Sequence, residues 1–266
     1  MKKLLMSFAI ILWATLFLFL YSDDESLLSE NLLSEETILN SEFINELINT
    51  YSFPYKYITT INVNVSKLSF KIYLDNDLTK IKVKTENSSI KSYLKDNSLY
   101  IEARDEKICH VDIYIPDRIY IFYFNTEYLE LKSNSNVKEV ININSNELKM
   151  EMEHYCGSID IQANSGWVDL RKSSLQENSY VNFTMNGNIF LDVRFMDSSE
   201  KYLFVTEEGI IKINNENLSD RVLFDIYAIA TFGEYNDVNK NNFVFNKNEY
   251  AKVELKSNNG LVSFEN

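Results

Sequence analysis

The sequence predicts an all-β domain of solenoid type, in which short strands stack on one another. Three observations predict it. Apolar and polar residues alternate with a period of two from residue 61 to residue 255, no long helical stretch interrupts this alternation, and a short glycine-led pattern recurs. With 266 residues, 45% of them hydrophobic, the chain is long enough to form one large globular domain.

The alternation predicts strands with one buried face. The inward positions are Ile61, Val63 and Val65; Leu68, Phe70, Ile72 and Leu74; Leu99, Ile101 and Ala103; Cys109, Val111, Ile113 and Ile115; Leu148, Met150 and Met152; Val181, Phe183 and Met185; Val222, Phe224, Ile226 and Ala228; and Val253 and Leu255. Because the chain has only two prolines and six glycines, most turns must be made by Asn, Asp and Ser.

Five of the six glycines introduce the same pattern, in which an aliphatic residue follows two positions later and an apolar residue four positions later. They are Gly157, Gly166, Gly187, Gly209 and Gly260, at intervals of 9, 21, 22 and 51 positions. Intervals near 20 are typical of solenoid coils, each of which buries its apolar face only against its neighbours. We expect these glycines to be structural, and an ordinary β-sandwich with glycine turns is the alternative.

The N-terminal segment, residues 1–21, predicts a membrane signal. Residues 4–21 form an uncharged apolar run, which reaches the length of roughly 17 to 25 residues that spans a bilayer. Two lysines precede the run and three acidic residues follow it, so the positive-inside rule places the rest of the chain outside the cytoplasm, in the periplasm or at the cell surface. We predict an uncleaved signal anchor at residues 1–21, with a cleaved signal peptide as the alternative.

Residues 22–50 contain eight acidic residues and neither Lys nor Arg, and their apolar residues recur at mostly four-residue steps. This period predicts a short acidic helical stalk, which we assign to residues 22–52, ahead of a β-repeat domain at residues 53–266. The formal net charge of the chain is -13, which disfavours a nucleic acid as partner.

The sulfur and imidazole groups lie in two short clusters, residues 109–110 and 154–156. The strand phase predicts that Cys109, His154 and Cys156 all point inward. Neither cluster has the closely spaced cysteine pair of a zinc site, so we predict neither a metal nor another cofactor. The residues leave open a disulfide between Cys109 and Cys156 or two buried free thiols, and a metal site is the least favoured alternative.

A pair of carboxylates is the strongest candidate for catalysis. Asp160 and Asp169 take equivalent outward places in successive glycine-led repeats, and a stacked pair could serve acid and base in glycoside cleavage. The same place is Phe190, Lys212 and Ser263 in the other repeats, so it is not uniform. The sequence also lacks the nucleophile-elbow, P-loop and dinucleotide motifs, and we therefore predict a protein that is not an enzyme and has no catalytic residues.

The run IYIFYF at residues 119–124 places bulky rings on both phases of a strand. Such a run predicts a sheet that is covered on both sides. The alternative is an exposed platform for a sugar or a protein partner.

Three segments carry a resemblance to a known family: DNSLYIEA at 96–103, VDIYIPD at 111–117 and VELKSNNGLVSFEN at 253–266. With them, about four fifths of the chain resembles the bacterial adhesin-like β-strand-repeat domains of unknown function, including the GIN-type auto-transporter adhesin head. The resemblance implies a single-stranded, right-handed β-helix-like fold, a location in the cell envelope and no established catalytic site.

These observations together predict a membrane-anchored protein outside the cytoplasm that acts as an adhesin-like or protein-interaction scaffold. Its partner would be an unknown protein or glycan. The alternatives are a passive structural or envelope-stress component and a carbohydrate-active enzyme of the β-helix type.

Overall fold

The structure, a computed structural model, describes residues 49–133, 136–176, 178–195, 201–215, 224–235, 238–239, 242–245 and 251–265. Between residues 216 and 252 it describes the backbone of these ranges without their side chains. All strands belong to one compact unit, Asn49–Asn266. The predicted anchor and most of the predicted stalk lie outside the described residues.

The all-β class is confirmed, since the described ranges contain sixteen strands, one short 3-10 turn at Tyr55–Tyr57, and no α-helix. The strands are β1 Asn49–Pro54, β2 Thr60–Val65, β3 Lys67–Leu74, β4 Lys80–Thr85, β5 Lys91–Lys95, β6 Ser98–Ala103, β7 Cys109–Ile115, β8 Ile121–Ser133, β9 Val140–Glu153, β10 Cys156–Leu175, β11 Tyr180–Phe195, β12 Lys201–Asn215, β13 Phe224–Tyr235, β14 Val238–Asn239, β15 Asn242–Phe245 and β16 Ala251–Glu265.

Long strands pair in parallel with the next long strand of the chain. The sheet order β8-β9-β10-β11-β12 follows the sequence, and the register joins Ile121 to Val140 and Val140 to Ser158. Antiparallel pairs of β1 with β4, β4 with β7 and β5 with β6 complete the N-terminal side of the sheet.

The last strands depart from this sequential order. β16 lies between β12 and β13, and it pairs in parallel with both. The long interval between Gly209 and Gly260 is therefore one step in the sheet, and β13 to β15 form an insertion within it.

β8, β9 and β12 each change their buried phase once, and β10 changes it twice. In β8 the side chains of Phe122, Phe124 and Thr126 are buried, and the buried phase then resumes at Leu129 after a three-residue step. β9 repeats this change between Ser145 and Leu148. The strand therefore turns a corner at this level, and inward hydroxyl groups support it: Ser145 Oγ lies 2.8 Å from the Glu147 carbonyl oxygen and Thr206 Oγ1 lies 2.7 Å from that of Glu208.

Four of the predicted glycines line up at this corner. The register places Gly166 opposite Gly187 and Gly209 opposite Gly260. The two pairs lie at the same level, because Asn186 and Glu208, the residues before Gly187 and Gly209, are opposite each other. At Gly166 φ is +137°, and a Cβ atom there would lie 1.9 Å from the Leu148 carbonyl oxygen. The neighbouring backbones approach too closely for any side chain.

Gly157 lies elsewhere. It precedes Gly166 by nine residues in the same strand, and a Cβ atom there would lie 1.9 Å from the Glu139 carbonyl oxygen and 2.6 Å from the Tyr155 hydroxyl. Its close contact is with the loop between β8 and β9, so the nine-residue interval is not a repeat of the corner.

Three inward predictions are wrong because the backbone changes phase locally: those for His154, for Met185, and for Cys156, which is half-buried on the outward phase of β10. His154 has φ +59°, a left-handed conformation that ends β9, exposes the His154 side chain and buries Tyr155 in its place. Met185 is 58% exposed because an extra residue between Phe183 and Asn186 forms a β-bulge. A strict alternation of apolar and polar residues reveals neither of these irregularities.

The β domain begins earlier than the alternation predicts. β1 starts at Asn49, within the segment assigned to the stalk, and pairs with β4 while its Tyr51 and Phe53 pack against the core. Among the residues that the structure describes, no helix has the length and apolar character needed to cross a membrane.

Replacement of Gly209 by alanine tests the glycine corner. Because φ is +133° there and the new Cβ would lie 2.0 Å from the Gly187 carbonyl oxygen, Gly209→Ala should lower the free energy of unfolding by about 2 kcal/mol or more. The exposed neighbour supplies the control, since Glu208→Ala should change it by less than about 0.5 kcal/mol. Urea unfolding of both variants measures the difference, and equal stabilities would contradict the corner.

Candidate functional site

A row of carboxamide side chains crosses five neighbouring strands on the outward side of the sheet. This amide row consists of Asn64, Asn125, Asn144, Gln162 and Asn182, which lie opposite one another on β2, β8, β9, β10 and β11. With neighbouring strands about 4.8 Å apart, the row extends over about 19 Å.

A second row runs beside the first, two residues earlier on each strand. This tyrosine row consists of Asn62, Tyr123, Asn142, Asp160 and Tyr180. A shallow depression of about 390 Å³ lies between the two rows, lined by Tyr123, Phe124, Asn125, Asn142, Ile143, Asn144, Asp160 and Gln162. We refer to the two rows together as the amide face.

The strands hold these side chains outward because the alternate residues are in the core. Phe124, Ile143 and Ile161 lie between the two rows in sequence, and each is 3% exposed or less. A sheet with a packed apolar underside is a rigid support, so the spacing of the amides is set by the backbone and not by mobile loops.

Four amides of the row are available to a ligand. Asn64, Asn125, Asn144 and Gln162 are exposed, and their side chains make no hydrogen bond within the part of the chain that the structure describes. Two members of the tyrosine row differ from them. Tyr180 is hydrogen-bonded to Asn182, and Asn142 Nδ2 donates to the Phe122 carbonyl oxygen over 3.3 Å.

The amides at the neighbouring corner behave differently. Asn164 Nδ2 donates to Asn146 Oδ1 over 3.2 Å, and Thr184 Oγ1 lies 2.9 Å from Asn164 Oδ1. This ladder satisfies itself across three strands and is structural. The amide row has the same residue types at the same spacing, yet its side chains face solvent without this lateral bonding.

The outward side beyond the corner carries charges that pair with one another. Arg171 Nη2 lies 2.5 Å from Asp169 and 3.4 Å from Glu151, and Lys132 Nζ lies 2.7 Å from Glu130. Such solvent-exposed pairs contribute little to stability. The amide face is the contrasting surface, since Asp160 is the one carboxylate of its ten residues.

The predicted carboxylate pair does not form. Asp160 and Asp169 are nine residues apart in β10, on opposite sides of the corner, and they pair with different neighbours. Asp160 belongs to the tyrosine row, whereas Asp169 is bonded to Arg171. The glycine-led pattern places them alike in sequence, but Gly157 and Gly166 occupy different places in the fold.

The two cysteines are free thiols in the structure, with Cys109 buried and Cys156 half-buried. Cys109 pairs with Leu68 of β3, and the order β7-β3-β8-β9-β10 places four strand spacings, about 19 Å, between the strands of the two thiols. Disulfides need Cα atoms about 4.4 to 6.8 Å apart, so the structure does not bring the cysteines together. Within the described ranges, no three His, Cys, Asp or Glu side chains form a group that could hold a metal ion.

Glu139 is the most strongly perturbed carboxyl group of the described residues. Burial raises its pKa to about 8, although the Tyr120 backbone N–H donates to Oε2 and opposes the shift. The residue is 1% exposed, and Oε1 has no partner in the described part of the chain. A carboxyl group so enclosed does not face a ligand in the solvent.

Comparison with known proteins identifies no family. No protein-family model and no curated protein matches the chain. Among solved structures, a candidate cell adhesion protein from Clostridium sporogenes is 14% identical, with 82% of this chain and 98% of that chain covered, at a TM-score of 0.29. A candidate adhesin from Parabacteroides merdae is 9% identical over 81% and 95% of the two chains, also at 0.29.

A candidate lipid-binding protein from Parabacteroides distasonis is similarly distant, at 10% identity, 82% and 96% coverage and a TM-score of 0.27. Superpositions this loose do not establish what this chain binds. The resemblance to the GIN-type domains stays a resemblance of sequence pattern.

Sequence reasoning missed the amide row, although it named Asp160 and the ring-rich run that contains Tyr123. A signal was present. Carboxamides recur at Asn125, Asn144, Gln162 and Asn182, at a spacing close to that of the glycines. Aligning the strands at that spacing, and not only at the glycines, would have revealed the row.

Alkylation tests the state of the cysteines. In denaturant without a reductant, iodoacetamide should add two labels to the full chain, and a reductant should add none further. Under native conditions Cys156 should react first, because Cys109 is buried and burial raises the pKa of its thiol. Cys156→Ala should remove the fast reaction. Labels that appear only after reduction would contradict the free thiols.

Glu139 predicts an unusual pH dependence of stability. Its pKa is about 8 in the folded chain and near its ordinary value of 4.5 in the unfolded chain, so folding retains a proton between these values. The free energy of unfolding should therefore fall as the pH rises from about 5 to about 8. Glu139→Gln keeps the shape without the ionisation and should show a smaller fall. Urea unfolding at several pH values measures the free energy of unfolding of both proteins. An equal fall with pH in both would contradict the role of Glu139.

Proposed function

We propose that this chain is a non-catalytic interaction protein of adhesin type, held outside the cytoplasm, which binds its partner through the amide face. The observation that carries the proposal is the row of exposed amides, four of which have no partner among the described residues. Solvated donors and acceptors held in a line on a rigid sheet are prepared for a ligand, because no hydrogen bond within the protein has to break first.

The proposed scaffold is a solenoid of single-stranded coils, with the right-handed sense implied by the resemblance. Parallel neighbours in a flat sheet need a crossover of about a dozen residues or more. Here β8 and β9 are joined by residues 134–139, and β9 and β10 by residues 154 and 155. The short joins and the corner within each strand support a chain that winds around its own core.

The proposed location rests on the N-terminal sequence. The apolar run at residues 4–21, with lysines before it and acidic residues after it, favours an anchor that leaves the β domain outside the cytoplasm. A stacked β domain on such an anchor would present the amide face to the surroundings of the cell.

The test is binding by the purified full chain in detergent micelles to an array of extracellular proteins and polysaccharides. We expect saturable binding to a member of the array. The double variant Asn125→Ala/Asn144→Ala should weaken this binding by about tenfold, because it removes two hydrogen bonds, each of which contributes at most about 1 kcal/mol. No bound polysaccharide should be shortened.

Two exposed amides away from the row provide the matched control. Gln176→Ala/Asn186→Ala removes the same number of carboxamides from other parts of the surface and should bind like the unchanged protein. Binding that both double variants lose equally, or no saturable binding at all, would contradict an interaction role for the amide face and favour a passive structural component.

A further inference from the structure

We propose that the ligand of the amide face is a neutral, linear glycan that lies along the amide row and crosses the strands. This inference rests on the proposed function and specifies the chemical class of its partner. Four features of the amide face support it: the hydrogen-bonding character of the row, its period, its aromatic flank and its lack of Lys and Arg.

The first feature is chemical complementarity. Each carboxamide of Asn64, Asn125, Asn144 and Gln162 has one acceptor oxygen and two donor hydrogens. A sugar hydroxyl also both donates and accepts, so one amide can bond to adjacent hydroxyls of the same ring. A surface of carboxylates could only accept, and one of lysines could only donate.

The second feature is the period of the row. Equivalent amides follow one another at the strand spacing of about 4.8 Å, in a straight line of about 19 Å. A sugar unit in an extended glycan advances by a similar distance, so successive sugars meet successive strands.

The third feature is the aromatic flank. Tyr123 is 47% exposed and stands beside the amides of β8 and β9, and Tyr180 occupies the same row three strands on. The apolar face of a sugar ring packs on such a ring, while the hydroxyls at the ring edge turn to the amides.

The fourth feature is charge. Asp160 lies in the depression, and the ten residues of the amide face include no Lys or Arg. An anionic polymer would meet a carboxylate without a compensating cation, which disfavours it. More than half of the ten side chains of this surface are carboxamides, whereas the centre of a protein interface is more apolar.

The experiment measures binding of the full chain in detergent micelles to neutral β-linked oligosaccharides of glucose and of N-acetylglucosamine, two to six sugars long, with hyaluronan as the anionic probe. Affinity should rise with length and level off near four sugars, the number of exposed amides in the row. It should change by less than about twofold between about 50 and about 500 mM salt, because no ion pair is formed.

Substitutions separate the contributions of the two rows. Asn144→Ala/Gln162→Ala should weaken binding of the neutral oligosaccharides by about tenfold. Tyr123→Ala should weaken it by at least fivefold, whereas Tyr123→Phe, which keeps the ring, should restore most of it. Tyr57→Ala removes a ring that is even more exposed, at 62%, but lies elsewhere, and should have no effect.

The outcomes distinguish this inference from the proposed function. Binding of a protein or of hyaluronan that depends on the amide row would overturn the neutral glycan and leave the proposed function intact. Absence of any binding that depends on the row would overturn both. If the variants of the two rows still bind neutral oligosaccharides as the unchanged protein does, the glycan binds elsewhere on the chain and the inference is overturned.

Discussion

The register of the parallel strands is the constraint on which the rest of the structure depends. It brings residues that are distant in sequence to the same level of neighbouring strands, as with Val140 and Ser158 or Tyr180 and Leu203. A side-chain type that recurs at this interval therefore becomes a row on the surface or in the core. A change of one residue in the register would move every outward amide to the inward side.

The glycine corner maintains that register. Gly166, Gly209 and Gly260 allow neighbouring backbones to approach so closely that a Cβ atom would meet a carbonyl oxygen, and at Gly187 it would meet the Phe183 ring of the same strand. At the same level the buried phase of β8, β9, β10 and β12 changes. Because these strands change at one level, the amides on one side of the corner and the ion pairs on the other lie on separate surfaces.

Much of the fold could be predicted from the sequence, because burial on one side of a strand leaves a period of two. The inward positions of β2, β3 and β7 are buried as that period predicts, apart from the half-buried Leu74. His154 and Met185 could not be predicted in this way, since a left-handed residue and a bulge change the phase without a distinctive local sequence. The separation of Asp160 from Asp169 depends on the corner between them.

The candidate site was harder to predict than the core, since apolar burial marks each strand by itself, whereas the amide row exists only between strands. Its members are single Asn or Gln residues, which a sequence with many Asn turns contains in abundance. Their common position became visible through the pairing of five strands. The distinction between the bonded ladder of Asn146 and Asn164 and the exposed amides of Asn125 and Asn144 required side-chain contacts.

Spin labels along the amide row test the register most directly. In the full chain without its native cysteines, a label at residue 64 is paired with a second label at residue 162, 182 or 256, which lie three, four and six strands away. The register predicts distances that increase by about 4.8 Å per strand, to about 14, about 19 and about 29 Å, broadened by the label linkers. Distances that do not increase in this order, or that place residues 64 and 162 farther apart than residues 64 and 256, would contradict the stacked parallel sheet.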